Sequence, residues 1–391
     1  MGRAASLSGA DLAFARDRFR AYYATATLEP PPRFGRREFA AIPFATETMM
    51  RRHTSFRSAE EIRRFLADDV PRNVYYSAAY YRDPAHASMA QKEWLGADVI
   101  FDLDADHLRG ADGLPIAEQF ARVKAKTRQL LDEYLFGDLG VDPAATQLVF
   151  SGGRGYHIHI RDERFLQLTS AERRELVEYV LGVGAEVRDG APRRSAPAGS
   201  AGWSGRRERG LAALVQRWAE QGVKMSAAEL EAAGVPAAVS SSIVRSLTAR
   251  ARSRAAEPDR RWDDLVANVP REQVTTVLRL AVLEVAGETD APVTTDVHRL
   301  IRLPGSLHGG TGFRVVPLER EALDRFDPLR DAPLPDDTVE PIALELLQDV
   351  DYRVGAATVA GASRSRIEVS PAGALFLILR GEARLPPGPG P

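Results

Sequence analysis

The chain has 391 residues, 44% of them hydrophobic and 27% charged, so it can bury one large core or two moderate ones and is globular rather than disordered. Its 52 Lys and Arg against 54 Asp and Glu leave a formal net charge of -2, so a nucleic-acid partner would have to be met by local basic patches. The absence of cysteine excludes disulfides, thiolate catalysis and thiolate zinc sites, and no apolar run approaches the ~20 residues that span a bilayer. The opening "MGRAASLSGADLAFARDRF" lacks the apolar core of a signal peptide, and a soluble, cytoplasmic protein is expected.

In chain order, residues 11–26 carry apolar groups at helical spacing. Ser58 with Glu61 three residues on has the spacing of a capping box and starts a second helix. The aromatic run "YYSAAYY" at 75–81 fits helix or strand equally, whereas Val99–Asp104 reads as a short apolar strand. Residues 113–140 fit a long amphipathic helix ending near Gly137, and "TQLVF" from 146 is a strand, which makes a helix between two strands. Thr169 with Glu172 opens another helix running to Gly184. Residues 188–209, rich in Gly, Pro, Ser and Arg, read as a loop or insertion, and 210–288 are helical in pattern with Trp218 and Trp262 as core anchors. Beyond them "RIEVS" and "ALFLIL" look strand-like, before a Pro- and Gly-rich end.

Three stretches carry chemistry. In "VIFDLDADHL", Asp102 and Asp104 lie two apart on a strand, roughly 6.6 Å from each other on one face. Unpaired, they repel; a divalent cation removes the conflict, while the plainer reading is a strand end whose aspartates meet solvent. In "VFSGGRGYHIHI", three glycines and Arg154 follow a strand, a combination that lets backbone N–H groups and a guanidinium meet an anion. A Gly-rich hairpin with a surface arginine is the alternative there. If the strand resumes, His157 and His159 share one face. In "TTDVHRLIRLPGSLHGG", if Val297–Leu303 is helical, Arg299 and Arg302 lie three apart on one face and Asp296 caps the helix start; Asp296 is also a candidate third carboxylate. Four of the seven histidines fall in these last two stretches. The inventory suits phosphoryl or nucleotidyl transfer, and equally a metal-dependent phosphatase or nuclease.

The ordered set "RREFA", "NVYYSAAYY", "WLGADVIFDLDADH", "SGGRGYHIHI" and "DVHRLIRLPGSLHGGTG" closely resembles the catalytic small subunit of archaeal and eukaryotic DNA primases, in its archaeal form. The resemblance implies a mixed α/β primase catalytic core with a smaller, mostly helical region. It divides the chain into 1–187 and 289–380 as the two parts of the core, 188–288 as a loop plus helical region, and 381–391 as a flexible tail. It implies DNA-templated primer synthesis from nucleoside triphosphates, with deoxyribonucleotides as a further substrate class. Asp102, Asp104 and Asp296 match the catalytic triad that binds Mg2+ or Mn2+ as a two-metal site. Ser151, Arg154, His157, Arg302 and His308 match residues that hold the triphosphate, and Glu38 and Arg52 match residues near the sugar and phosphates. Asp106 becomes accessory. The implied partners are a large subunit carrying an iron-sulfur cluster, in a heterodimer, and single-stranded DNA, with no membrane; the implied place is the replication machinery at the nucleoid. Many relatives carry a Cys and His zinc knuckle after the acidic strand, but 108–118 is short here and lacks cysteine, so loss of that zinc is expected. A related primase-polymerase of end joining or of a mobile element, and a non-catalytic nucleic-acid-binding scaffold, are the competing readings.

Overall fold

The computed structural model describes residues 7–46, 49–186, 200–253, 266–335 and 340–387. The chain forms two units, one from residues 1–128, 141–174 and 289–391, the other from 129–140 and 175–288.

The first unit is the mixed α/β core. Its strands, in chain order, are β1 Phe39–Ile42, β2 Arg51–Thr54, β3 Asn73–Ser77, β4 Ala79–Tyr81, β5 Trp94–Ala97, β6 Val99–Asp104, β7 Thr146–Phe150, β8 Gly155–Ile160, β9 Leu300–Arg302 and β10 Val316–Leu318. They make a sheet of order β2-β1-β3-β9, a second of order β10-β7-β8-β6, and the small β4-β5 pair. Every pairing is antiparallel. β6 and β7, the strands expected on either side of a helix, both pair with β8, which therefore lies between them. The helix that links them, Ile116–Gln129, buries Phe120 and Val123 and passes into a π-helical stretch, Leu130–Asp138.

Local chemistry explains the first helices. The Ser58 hydroxyl accepts from the Glu61 N–H at 3.2 Å and the Glu61 carboxylate accepts from the Arg57 N–H, which starts the helix Ala59–Asp69. Thr169 and Glu172 do the same before Ser170–Leu181. The aromatic run resolves into β3 and β4, burying Tyr76, Tyr80 and Tyr81.

Five expectations are corrected. The helical unit is wider than 188–288: Gly287 donates to the Val180 carbonyl and the Tyr134 hydroxyl to that of Val285, tying in 129–140 and 175–187. Helix begins at Gly202, inside the segment read as loop; 187–199 lie outside the described residues. Val297–Leu303 is no helix, because Leu300–Arg302 is taken up as the β9 edge of the first sheet. "ALFLIL" belongs to a helix, Pro371–Leu379, whose residues are all buried, so an unbroken apolar run gave no period to read. The expected tail is structured at its start, since the short strand Ala383–Arg384 pairs with the strand Ile342–Leu346. Trp218 is fully buried, with its indole N–H on Glu229; Trp262 is not among the described residues.

A buried ion pair joins the sheets. Arg37, one residue before Glu38 and β1, donates to the Asp98 carboxylate at 2.7 Å, and neither side chain is exposed at all. The Tyr80 hydroxyl and Arg161 reach the same carboxylate, and Arg173 donates to the carbonyls of Ala97 and Asp98. Removing one partner strands a buried charge. Asp98→Ala should therefore cost roughly 3–5 kcal/mol in a urea titration, and R37M/D98L clearly less; equal losses would place the stability elsewhere.

Candidate active site

Register sets the site. β6 runs antiparallel to β8 with Asp102 opposite His157 and Asp104 opposite Gly155. The strands approach so closely that a Cβ on Gly155 would fall 2.0 Å from the Leu103 carbonyl oxygen, so only glycine fits. Gly152, at φ +74°, turns the chain against His308, whose Cβ would lie 2.8 Å from a side chain there.

A cavity of about 270 Å3 near β1 and β2 is lined by Phe39, Arg51, Phe65 and Asp69 and carries none of the expected residues. A second cavity, about 250 Å3, gathers most of them: Asp102 and Asp104 from β6, Ser151 and Gly153 from the turn, His157 from β8, and Arg302 and His308 from the late motif. Tyr75, Arg299, Leu300 and Ile301 complete its wall. Two carboxylates, two arginines and two histidines thus line one small polar space.

The electrostatics follow from this packing. Burial, Asp104 and Asp290 push the Asp102 carboxyl up from the usual 3.8 to about 7, against the pull of Arg299 and His107. Burial, reinforced by Arg302 and Arg299, drives His157 down to about 3, so its imidazole is neutral, and its Nδ1 is buried without a hydrogen-bond partner. Its Nε2 lies 3.6 Å from Asp102. Burial and the charges of Arg302, Arg72 and Arg154 likewise keep His308 neutral; its Nδ1 accepts from the Gly310 N–H at 3.1 Å. Arg302 is oriented by Asn73, at 2.5 Å, and lies over the Tyr75 ring. The Ser151 hydroxyl accepts from the Gly153 N–H, and Arg154 pairs with Asp106, whose N–H is in turn capped by Asp104.

Four expected residues lie outside this cavity's lining: Arg154, which pairs with Asp106, and Glu38, Arg52 and Asp296. Glu38, fully buried, accepts from Arg52 and the His53 N–H and pairs with Lys92 in a separate cluster. Burial alone would raise the Glu38 carboxyl, but these donors outweigh it and hold it below the ordinary carboxylate range. Asp296 is exposed, accepts from the His298 N–H, and acts electrostatically on Arg52 and Tyr81. The carboxylate that faces Asp102 belongs to Asp290. Its N–H donates to the Asp102 carbonyl at 2.8 Å, beside the Thr289 hydroxyl, and its side chain is 3.9 Å from His107. The structure thus brings Asp290, and not Asp296, beside the Asp102 strand. Asp290 precedes the helix Ala291–Thr295, with Pro292 in its first turn. That Asp-Ala-Pro start was the available signal, hidden by placing the helix after Asp296 instead of before it.

Among the described residues no three His, Asp or Glu side chains converge closely enough to enclose an ion unaided. Mg2+ is commonly held by one or two carboxylates together with substrate phosphates, and the like charges of Asp104 and Asp290 at Asp102 outweigh the pull of Arg299 and His107, so the donor set fits such an ion.

Paired carboxylates and arginines lining one cavity beside a glycine turn, on an α/β scaffold, are the equipment of phosphoryl- and nucleotidyl-transfer proteins. The family model for the DNA primase small subunit matches residues 101–320. The chain is 38% identical to the DNA primase small subunit PriS of Methanocella arvoryzae, covering 96% of this chain and 98% of that one. It is 37% identical to that of Methanothrix thermoacetophila, at 95% and 98%, and 36% identical to that of Halorubrum lacusprofundi, at 96% and 98%. The chain belongs to the DNA primase small subunit family, the catalytic subunit of a primase that acts in DNA replication. No helix among the described residues is long and apolar enough to cross a membrane.

Asp102 gives a pH test. Its folded pKa lies above its unfolded one, so its ionisation destabilises the metal-free fold as pH rises from about 4 to about 7 and does so fully above. In chelator, D102N should become more heat-stable than the parent across that window, and Mg2+ or Mn2+ should narrow the gap. Parallel melting curves from pH 4.5 to 8 would contradict the assignment.

Proposed function

We propose that this cavity synthesises primers on single-stranded DNA by transferring nucleotides from nucleoside triphosphates, a DNA-directed RNA polymerase activity. The observation that carries the reading is the register that opposes Asp102 to His157 within a cavity walled by Arg299 and Arg302. Asp102, Asp104 and Asp290 would hold Mg2+ or Mn2+, which when bound neutralises charge on the attacking 3'-hydroxyl and the leaving pyrophosphate. Asp290 takes the place that the sequence assigned to Asp296.

The chain's own groups bind and align. Arg302, already held by Asn73, and Arg154 present planar donors to phosphate oxygens. His157 is neutral and carries one N–H, so it donates to a phosphate oxygen without adding charge beside the arginines. The Ser151 hydroxyl and His308 line the same space and orient the triphosphate for in-line attack. The N–H groups of the glycine turn add donors that need no reorganisation. Arg52 serves the nucleotide from the neighbouring cluster, held in place by the buried Glu38 carboxylate. A large subunit, bearing the iron-sulfur cluster that a chain without cysteine cannot hold, completes the heterodimer at the replication fork.

The test is primer synthesis on single-stranded DNA with labelled ribo- and deoxyribonucleotides, with and without the large subunit, under Mg2+ and under Mn2+. No metal-dependent product in any condition rejects the reading. D102N and D290N should each lose product by roughly 10²-fold or more while remaining folded, and D296N should stay within about fivefold of the parent. Normal synthesis by D290N together with loss in D296N would restore the sequence-based triad.

A further inference from the structure

Lys92 ends a short turn, Met89–Lys92, before β5, and its side chain is completely buried. Its Nζ lies 3.4 Å from Glu38 Oε2, donates to the Pro84 carbonyl, and sits 5.3 Å from the centre of the Tyr81 ring. Tyr81 in turn bonds and stacks on His298, next to Arg299 in the cavity wall. Burying an ammonium costs several kcal/mol, and a buried pair is seldom more stable than apolar side chains of similar volume. Stability alone is a weak reason for this lysine.

The charges supply a better one. Glu38 is also fully buried and already holds Arg52 through two hydrogen bonds, at 2.9 and 3.2 Å. Glu38 and Arg52 by themselves are neutral as a pair, and the carboxylate would cancel most of the guanidinium's attraction for an anion. Lys92 meets the same carboxylate from the closed side, leaving the cluster with one positive charge in excess. Of the three, only Arg52 reaches solvent, at 36% exposure, so the excess is expressed there. Asp296 is a further counter-charge to Arg52 but is exposed and screened by water.

We infer that Lys92 is a positioning residue for nucleotide binding: by neutralising Glu38 from behind, it leaves Arg52 oriented by that carboxylate yet free in charge for a phosphate of the incoming nucleotide. This rests on the reading that Arg52 serves the nucleotide. Lys92 itself touches no substrate. Packing alone would make the identity of the charge irrelevant; here the charge balance is what matters.

The experiment is steady-state extension of an annealed primer by the full chain with its large subunit, varying the nucleoside triphosphate. K92M should raise the nucleotide KM roughly tenfold with kcat little changed. K92R, which keeps the charge, should stay near the parent. E38Q/K92M removes both buried charges while Gln can still accept from Arg52 and the His53 N–H, so the excess charge returns and KM should recover most of the loss. A KM at the parent value in K92M, or no recovery in the double variant, overturns the inference. R52A separates the two levels: an unchanged KM there removes both the role of Arg52 and the inference, while a raised KM in R52A with a normal one in K92M removes the inference alone. Melting curves accompany each variant. If K92M does not fold, the double variant decides, with a KM near the parent supporting the inference and one near that of R52A rejecting it.

Discussion

The active cavity depends on a charge pair that never meets water. Arg37 and Asp98 each stand at the threshold of a functional strand, Arg37 just before Glu38 and β1, Asp98 just before β6 with its aspartates. Apolar packing is non-directional, whereas a buried guanidinium and carboxylate must keep their hydrogen-bonded geometry or leave a charge uncompensated. The node is well satisfied: Arg37 also donates to the carbonyls of Pro32, Ser77 and Ala78, and Asp98 receives the Tyr80 hydroxyl. A network in which the members are paired rigidifies what it joins. Its consequence is that the Glu38 cluster and the Asp102 cavity keep a constant relation.

Around that node the fold separates charge by strand. β6 brings the carboxylates from one sheet, while Arg302 at the end of β9 brings a cation from the other into the same cavity. Burial makes this separation effective: it is the first cause of both the raised Asp102 and the neutral His157. A polyphosphate with its cations would answer both the carboxylates and the arginines of that lining. The same device recurs at Glu38, where a buried carboxylate is shared between a closed lysine and an open arginine.

Much of the fold was legible because it is local. β6 and β7 announce themselves by short apolar runs, and the Ser58 and Thr169 caps by a spacing that the backbone N–H groups require. The misreadings share a cause. Leu300–Arg302 became strand because β3 offered an edge, and Pro371–Leu379 became helix because every side of it is packed, neither of which leaves a mark in periodicity.

By itself the sequence determined which chemistry is present: two aspartates in strand phase, glycines where backbones must touch, arginines and histidines in the flanking turns, and an ordered motif set that identifies the family. Which aspartate joins Asp102 was decided only by tertiary structure. Asp290 and Asp296 are both acidic, both close to the late motif and both next to a helix end. A hydrogen bond from the Asp290 backbone to the Asp102 carbonyl, across almost two hundred residues of chain, puts one beside the acidic strand and leaves the other on the surface near Arg52. No spacing rule encodes that bond, because it forms only once the two segments are packed together.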